Sequence, residues 1–281
     1  MKIVSTIAQA KTFVQNMRQD NKSIGFVPTM GALHQGHMSL VQACQQDNDI
    51  TVMSIYVNPT QFGPQEDLAS YFRPIEQDTQ MALDYGVDLL FLPSDQHMYA
   101  PQASTYVVER RISQLLCGKY RPGHFDGVCT IVLKLLNILT PHRLYLGLKD
   151  VQQFRIIENM ARDLCLPVEV IGTKIIREKD GLACSSRNLY LSPELRLIAP
   201  ILFQALSSTK ALLESGETSA AQLITHTRKI IGQEKELGIQ YIELLDWMDF
   251  TPIAQVQNTC VLALACFLGK TRLIDNIRLS P

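Results

Sequence analysis

Short apolar, β-branched runs alternate with segments of helical period through the first two-thirds of the chain, and this alternation constrains the fold more than any other feature. Residues 23–27 read as a buried strand that ends at Pro28, and 36–46 carries Met38, Leu40, Val41 and Cys44 at helical spacing. Residues 49–57 form a second strand, stopped by Asn58-Pro59. A helix over 74–85, a strand over 88–92 closed by Pro93, a helix over 128–139, a strand over 143–146, an amphipathic helix over 150–164 and a strand over 168–171 continue the series. Strands separated by helices pair in parallel through right-handed crossovers, so the expected class is α/β. In such sheets ligands sit beyond the carboxyl ends of the strands, which singles out the loops after Val27, Val57 and Leu146.

The pattern changes at 177–193, a polar stretch rich in turn formers. Helices are expected over 193–214 and 219–234, and strands over 239–245, 260–267 and 272–274. We read a first domain over 1–176 and a smaller C-terminal α+β domain over 177–281, a division that 281 residues accommodate. Hydrophobic residues make up 46% of the chain, enough for a sizeable core. A formal net charge of -1 argues against a surface built for nucleic acid, while leaving room for one local basic pocket. Lys11 and Arg18 interrupt the N-terminal segment, which therefore lacks the apolar core of a signal peptide. No apolar run has the length of a membrane span, and 259–268 fits a buried strand or helix instead. Seven cysteines without paired short spacings make neither a disulfide framework nor a zinc site; they read as buried, reduced thiols of a cytoplasmic protein.

The loop after the first of these strands runs Pro28-Thr29-Met30-Gly31-Ala32-Leu33-His34-Gln35-Gly36-His37. Gly31 and Gly36 admit close backbone approach to a ligand, and the following helix offers free N–H groups to phosphate. His34 and His37 are placed to donate to negative charge growing during attack at phosphorus. The alternative of two capping or surface histidines is weaker for a pair flanked by glycines at a strand–helix junction. Zinc ranks below phosphate, because no HExxH pattern and no acidic or cysteine partner lies nearby. Gly147-Leu148-Lys149-Asp150 follows another strand and faces the same crevice. Lys149 suits a phosphate oxygen. Asp150 either caps the next helix or meets a ligand, ribose or metal, the two readings standing level. Gln153 lies one helical turn on. In Asp180-Gly181-Leu182-Ala183-Cys184-Ser185-Ser186-Arg187-Asn188, hydroxyls, amides and an Arg in a mobile loop suit a polyphosphate clamp, although alone the segment reads as a linker. Gln61, in Asn58-Pro59-Thr60-Gln61-Phe62-Gly63-Pro64, offers donor and acceptor to a small polar substrate. Arg121 and His124, in the Gly/Pro-rich loop 121–127, are candidates to meet a carboxylate or phosphate.

Taken together, PTMGALHQGH, VNPTQFGPQED, GKYRPGHFDGV, GLKDVQQF, REKDGLACSSRNLYLSP and GKTRLIDNI resemble the pantothenate synthetase family, in the family's order and over nearly the whole chain. HxGH alone would indicate only the broad nucleotidyltransferase-like group. The resemblance implies a Rossmann-like parallel sheet with helices on both faces, a C-terminal lid domain and a cytoplasmic homodimer. It implies condensation of pantoate with β-alanine using ATP and Mg²⁺, with release of AMP and pyrophosphate. It places ATP on Met30, Gly31, Ala32, Leu33, His34, Gln35, Gly36 and His37, with His37 as general acid. Gly147, Leu148, Lys149, Asp150, Ile176, Cys184, Ser185, Ser186 and Arg187 are the remaining ATP contacts. Gln61 and Gln153 match the pantoate contacts, and no metal ligand is assigned. The chain departs from the family at Leu148 (usually Glu), Phe72 (usually Pro) and Cys184 (usually Leu).

A carboxylate does not react with an amine at neutral pH without activation, and the sequence shows no convincing covalent nucleophile. The expected course is therefore attack of pantoate on the α-phosphorus, then of the β-alanine amine on the acyl-adenylate, with His34, His37 and Lys149 stabilising charge. The competing readings are an enzyme that stops at nucleotidyl transfer and a catalytically silent nucleotide- or RNA-binding protein.

Overall fold

Strands buried on both faces need apolar residues at every position rather than alternation, and the runs around Phe26, Val52 and Leu144 meet that need. The computed structural model describes every residue from Met1 to Pro281 except Gln65 and Asp67. The last part of the VNPTQFGPQED stretch thus lies in part outside the described residues. The chain divides into two compact units, Met1–Lys174 and Ile175–Pro281.

The first unit comprises β1 (Lys2–Val4), α1 (Ile7–Gln19), β2 (Ile24–Thr29), α2 (Gln35–Asp47), β3 (Ile50–Ile55), α3 (Ile75–Asp84) and β4 (Leu89–Phe91). It continues through α4 (Asp95–Met98), α5 (Leu116–Tyr120), α6 (His124–Leu139), β5 (Arg143–Gly147), α7 (Val151–Asp163) and β6 (Glu169–Thr173). The strands form one parallel sheet in the order β1-β4-β3-β2-β5-β6. From β2 the chain steps outward to β3 and β4, then returns to lay β5 on the other side of β2. The order reverses between β2 and β5, and it is beyond their carboxyl ends that sheets of this kind bind ligands. Val27, Met53, Leu90 and Tyr145 pack on one face with Met38, Val41 and Cys44 of α2 and Ala82 of α3. Alternation sends Phe26, Val52, Leu89 and Leu144 to the other face, where they are equally buried.

The second unit comprises α8 (Pro193–Ile198), α9 (Ile201–Glu214), α10 (Ala220–Ile231), β7 (Leu237–Asp246), β8 (Cys260–Leu268) and β9 (Thr271–Leu279). Its strands form an antiparallel sheet in the order β7-β8-β9. Leu202 and Leu206 of α9 and Leu223 of α10 share a core with Leu244, Leu262, Leu264 and Leu273 of the sheet. None of the helices among the described residues is long and apolar enough to cross a membrane.

Several boundaries differ from expectation for physical reasons. β2 continues through Pro28 to Thr29, paired along its whole length with β3. Its pairing with β5 stops at Phe26, so the missing N–H of Pro28 falls beyond the last bond on that edge. The single helix expected over 193–214 is two, because Pro200 lacks an N–H and its ring clashes with the preceding turn. α6 starts at His124, four residues before the apolar run that announces it. β9 runs on to Leu279, since Asp275 and Asn276 are buried despite their polarity.

Candidate active site

The HxGH stretch leaves the carboxyl end of β2 through two left-handed residues, Gly31 (φ 84°) and Ala32 (φ 48°). A Cβ on Gly31 would lie 2.9 Å from Asp78 Oδ2, so the position requires glycine on space as well as on dihedral. Ala32 has no such licence, and a strained residue of this kind persists only where its surroundings hold it. Asp78, on the first turn of α3 and 2% exposed, does so: its carboxylate accepts the N–H of Ala32 at 2.8 Å and of Leu33 at 2.7 Å. Burial pushes the Asp78 carboxyl up, against the opposing pull of those two bonds. Sequence reading missed Asp78, because an acid in the first turn of a helix already has a local explanation in the helix dipole.

His34 caps α2, its Nδ1 accepting the Gly36 N–H at 3.1 Å. The Nδ1 of His37 accepts the His34 N–H at 3.3 Å. The rings lie 4.0 Å apart between centroids. An imidazole that accepts at Nδ1 carries its proton on Nε2 in the neutral form. Capping and ligand binding are therefore compatible, using opposite nitrogens of each ring. Burial, then His34, then Lys149 hold the His37 pKa well below the ordinary 6.5, so His37 is a neutral donor at neutral pH.

Lys149, on the turn after β5, is near enough for its charge to act on His37. Asp150 precedes α7 without making a side-chain cap; its carboxylate lies 3.7 Å from the Lys149 ammonium. Of the two readings left level for Asp150, capping is not the one observed. A Cβ on Gly172 would lie 2.8 Å from Leu148 Cδ2 and 3.0 Å from the Phe154 ring, so the Leu148 side chain lies against β6 and α7. The adjacent glutamines of α7 divide their work. Gln152 is buried, accepting the Cys117 N–H at 3.0 Å and donating to Ile112 and Leu115 carbonyls at 2.8 and 2.7 Å. Gln153 is half-buried and has no such bond among the described residues.

Gln61 joins the site from the loop after β3. Its amide lies 2.9 Å from the Met30 sulfur, a weak acceptor, and its Oε1 accepts from Asn58 at 3.2 Å. Asn58, 1% exposed, is a fixed hub: its amide also donates to Gly127 O at 3.0 Å, and its oxygen accepts from Thr60 at 3.0 Å and Tyr99 at 2.8 Å. A Cβ at Gly127 would lie 2.4 Å from Thr60 O, so only glycine lets α6 approach this loop. His124 donates from Nδ1 to Gln61 O at 2.7 Å while its Nε2 accepts from Arg121 at 3.2 Å. Burial first and Arg121 second push His124 down to about 4. Arg121 is bound bidentately by Glu66. Both residues thus hold the Gln61 loop, where the sequence had offered them to a substrate anion.

In the second unit, residues 176–184 form a hairpin. Cys184 N–H donates to Ile176 O at 2.9 Å, and Glu178 N–H to Leu182 O at 2.8 Å. A 3-10 turn over Ser186–Tyr190 follows, with Ser185 Oγ accepting the Arg187 N–H at 3.3 Å. Within its own unit the segment is thus a hydrogen-bonded hairpin followed by a turn. All seven cysteines are free, five of them buried, Cys165 exposed and Cys184 intermediate. No cluster of three or more metal-ligating side chains occurs among the described residues.

An open parallel sheet whose switch point carries a glycine-flanked strand–helix junction defines an α/β class suited to phosphate-bearing ligands. Within that class the chain belongs to the pantoate–β-alanine ligase family, whose model matches residues 2–278. It is 48% identical over 276 residues to pantothenate synthetase of Thermotoga petrophila, covering 98% of this chain and 99% of that one. The pantothenate synthetase structure from Thermus thermophilus is 39% identical, covers 100% of both chains and superposes with a TM-score of 0.95. A pantoate–β-alanine ligase from Francisella tularensis, described as complexed with β-γ ATP and β-alanine, is 34% identical, covers 99% of this chain and 97% of that one, and gives a TM-score of 0.82.

Proposed function

We propose that this chain condenses pantoate with β-alanine at the expense of ATP, forming pantothenate through a pantoyl-adenylate. The observation that carries the reading is the convergence at the β2/β5 switch point of His34, His37 and Lys149, with Gln61 resting against Met30 beside them. On the family resemblance, ATP is assigned to Met30 to His37, Gly147 to Asp150, Ile176 and Cys184 to Arg187. At Leu148 the contact is through backbone, the side chain being packed on β6 and α7. Pantoate binds through Gln61 and Gln153. Its carboxylate attacks the α-phosphorus, the α–β bridging oxygen leaves with pyrophosphate, and a mixed anhydride forms. The amine of β-alanine then attacks the acyl carbon, loses a proton and expels AMP.

The residues' contributions follow from their states. His34 and His37 donate from Nε2 to phosphate oxygens, and the depressed pKa of His37 favours a neutral donor over a proton-transferring acid. Lys149 adds a fixed positive charge. Magnesium is bound in many ATP sites by one or two carboxylates plus the phosphates, and Asp150, which caps no helix, is a hard oxygen donor of that kind. Bound there, the ion would neutralise charge on the leaving pyrophosphate. Cytoplasmic residence and a homodimer belong to the same proposal.

The test is to incubate the pure protein with ATP, Mg²⁺, pantoate and β-alanine and identify the products by mass. Pantothenate, AMP and pyrophosphate in equal amounts are expected. A stable nucleotidylated product would favour an enzyme that stops at nucleotidyl transfer. ATP turnover indifferent to both small substrates would remove the ligase reading altogether.

A further inference from the structure

The proposed function leaves one motif without a task, the late GKTRLIDNI stretch, which forms β9 and places Asp275 in the second unit's interior. The Asp275 side chain is 2% exposed and that of Arg177 17%. Arg177 grips Asp275 with both terminal nitrogens, at 2.6 Å to Oδ2 and 2.9 Å to Oδ1. The same guanidinium donates to Gly181 O at 3.1 Å and to Asn276 O at 3.4 Å, and lies 3.9 Å above the Phe203 ring. One planar fork thus ties the last strand to the tip of the 176–184 hairpin. Gly181, at that tip, has φ 93°. Two further residues fix the hairpin's other side. Arg196 of α8 donates to Asp180 and Glu178, each at 2.6 Å. Asn188 donates to Glu178 Oε1 at 2.7 Å and Ala183 O at 3.1 Å.

A buried ion pair is weak evidence of stabilisation, because desolvation offsets much of the attraction. What a bidentate fork supplies that an apolar pair cannot is orientation. The element it orients leads directly into Ser185, Ser186 and Arg187. We propose that Arg177 and Asp275 are positioning residues for the nucleotide clamp, holding the hairpin so that Ser185 to Arg187 meet the polyphosphate. This rests on the reading that those three residues contact ATP. It extends that reading by giving the C-terminal strand a part in nucleotide affinity.

The experiment is a double-mutant cycle on ATP affinity, measured at equilibrium with purified full-length chains. Arg177→Lys keeps the charge and loses the fork, so it retains the fold; Asp275→Asn perturbs the pair from the other side. Circular dichroism and thermal unfolding report on folding in each. Arg177→Lys should weaken ATP binding about tenfold, the scale of one charge-assisted hydrogen bond, with the pantoate KM unchanged. In an Arg187→Ala background the same substitution should change ATP affinity less than about twofold, because its effect passes through Arg187 and its neighbours. If Arg187→Ala weakens binding and Arg177→Lys adds its full effect on top, the pair is structural only and the positioning proposal fails alone. If Arg187→Ala leaves ATP binding untouched, the clamp reading fails and takes this proposal with it. A parallel loss of ATP and pantoate affinity in Arg177→Lys would also overturn it, since a general loosening has no preference for the nucleotide.

Discussion

At the scale of single residues, the two histidines show how one ring serves fold and chemistry. Nδ1 of each is occupied by a backbone N–H, which fixes the tautomer and leaves Nε2–H to point elsewhere. His37→Ala should slow pantoyl-adenylate formation by about 10²–10³, or ~2.7–4 kcal/mol, the cost of one preorganised donor. Single-turnover rates of pyrophosphate release measure this, and a near-normal rate would remove His37 from the chemistry. The pH profile tests its protonation state: with a pKa held well below 6.5, the wild-type rate should stay level as pH falls through 6.5. A rate that rose on acidification through that value would show a charged acid instead. His124 supplies a stability test. Unfolded, it takes up a proton near 6.5; folded, it resists down to about 4, so between those values the unfolded state binds more protons. Stability should therefore fall as pH drops through that window, by up to about 3 kcal/mol from this residue. Denaturant unfolding at pH 7 and pH 4.5 should show a smaller difference for His124→Asn than for the wild type; equal differences would contradict the assignment.

At the scale of elements, the link between α3 and the HxGH loop carries the sharpest expectation. Asp78 meets two N–H groups with two oxygens. In Asp78→Asn one oxygen becomes an NH₂ that opposes an N–H, at a cost of about 1–3 kcal/mol for the unsatisfied donor. The loop should lose its left-handed turn at Ala32, and adenylation should slow by about tenfold or more while the fold persists. Unchanged single-turnover kinetics in a folded Asp78→Asn protein would make Asp78 a core residue and nothing more. The example also shows where the sequence was readable. His34, Gly36 and His37 lie within one local stretch at a strand–helix junction, and their types suffice. Asp78 acts on Leu33 across 45 residues and Glu66 on Arg121 across 55, distances over which no periodicity speaks. The inner strands announced themselves because burial on both faces demands unbroken apolar runs. β1 did not: it is a three-residue edge strand with only Val4 buried. β9 was read short because Asp275 and Asn276 look like a turn until Arg177 is seen against them.

At the scale of the whole molecule, the question is the order of the two chemical steps. Pantoate's carboxylate needs activation, and four of the seven cysteines are held as thiols by burial. Burial pushes Cys44 and Cys260 up to about 11, and Cys129 and Cys266 up to about 12, so these remain thiols at neutral pH. Adenylation calls on no group of β-alanine. The first half-reaction should therefore stand alone: labelled pyrophosphate should exchange into ATP with pantoate present and β-alanine absent. The adenylate would be lost in water, so it must be held in a site that excludes solvent until the amine arrives. Gln61→Ala should depress this exchange far more than it depresses ATP binding, because a site built to hydrogen-bond its substrate loses most when those bonds go. Gln152→Ala, by contrast, should act on stability first, since its amide joins α7 to the backbone around α5. Exchange that required β-alanine would mean that the second substrate completes the site before any chemistry occurs. Exchange without pantoate would point to a nucleotidylated enzyme, and the acyl-adenylate route would have to be given up.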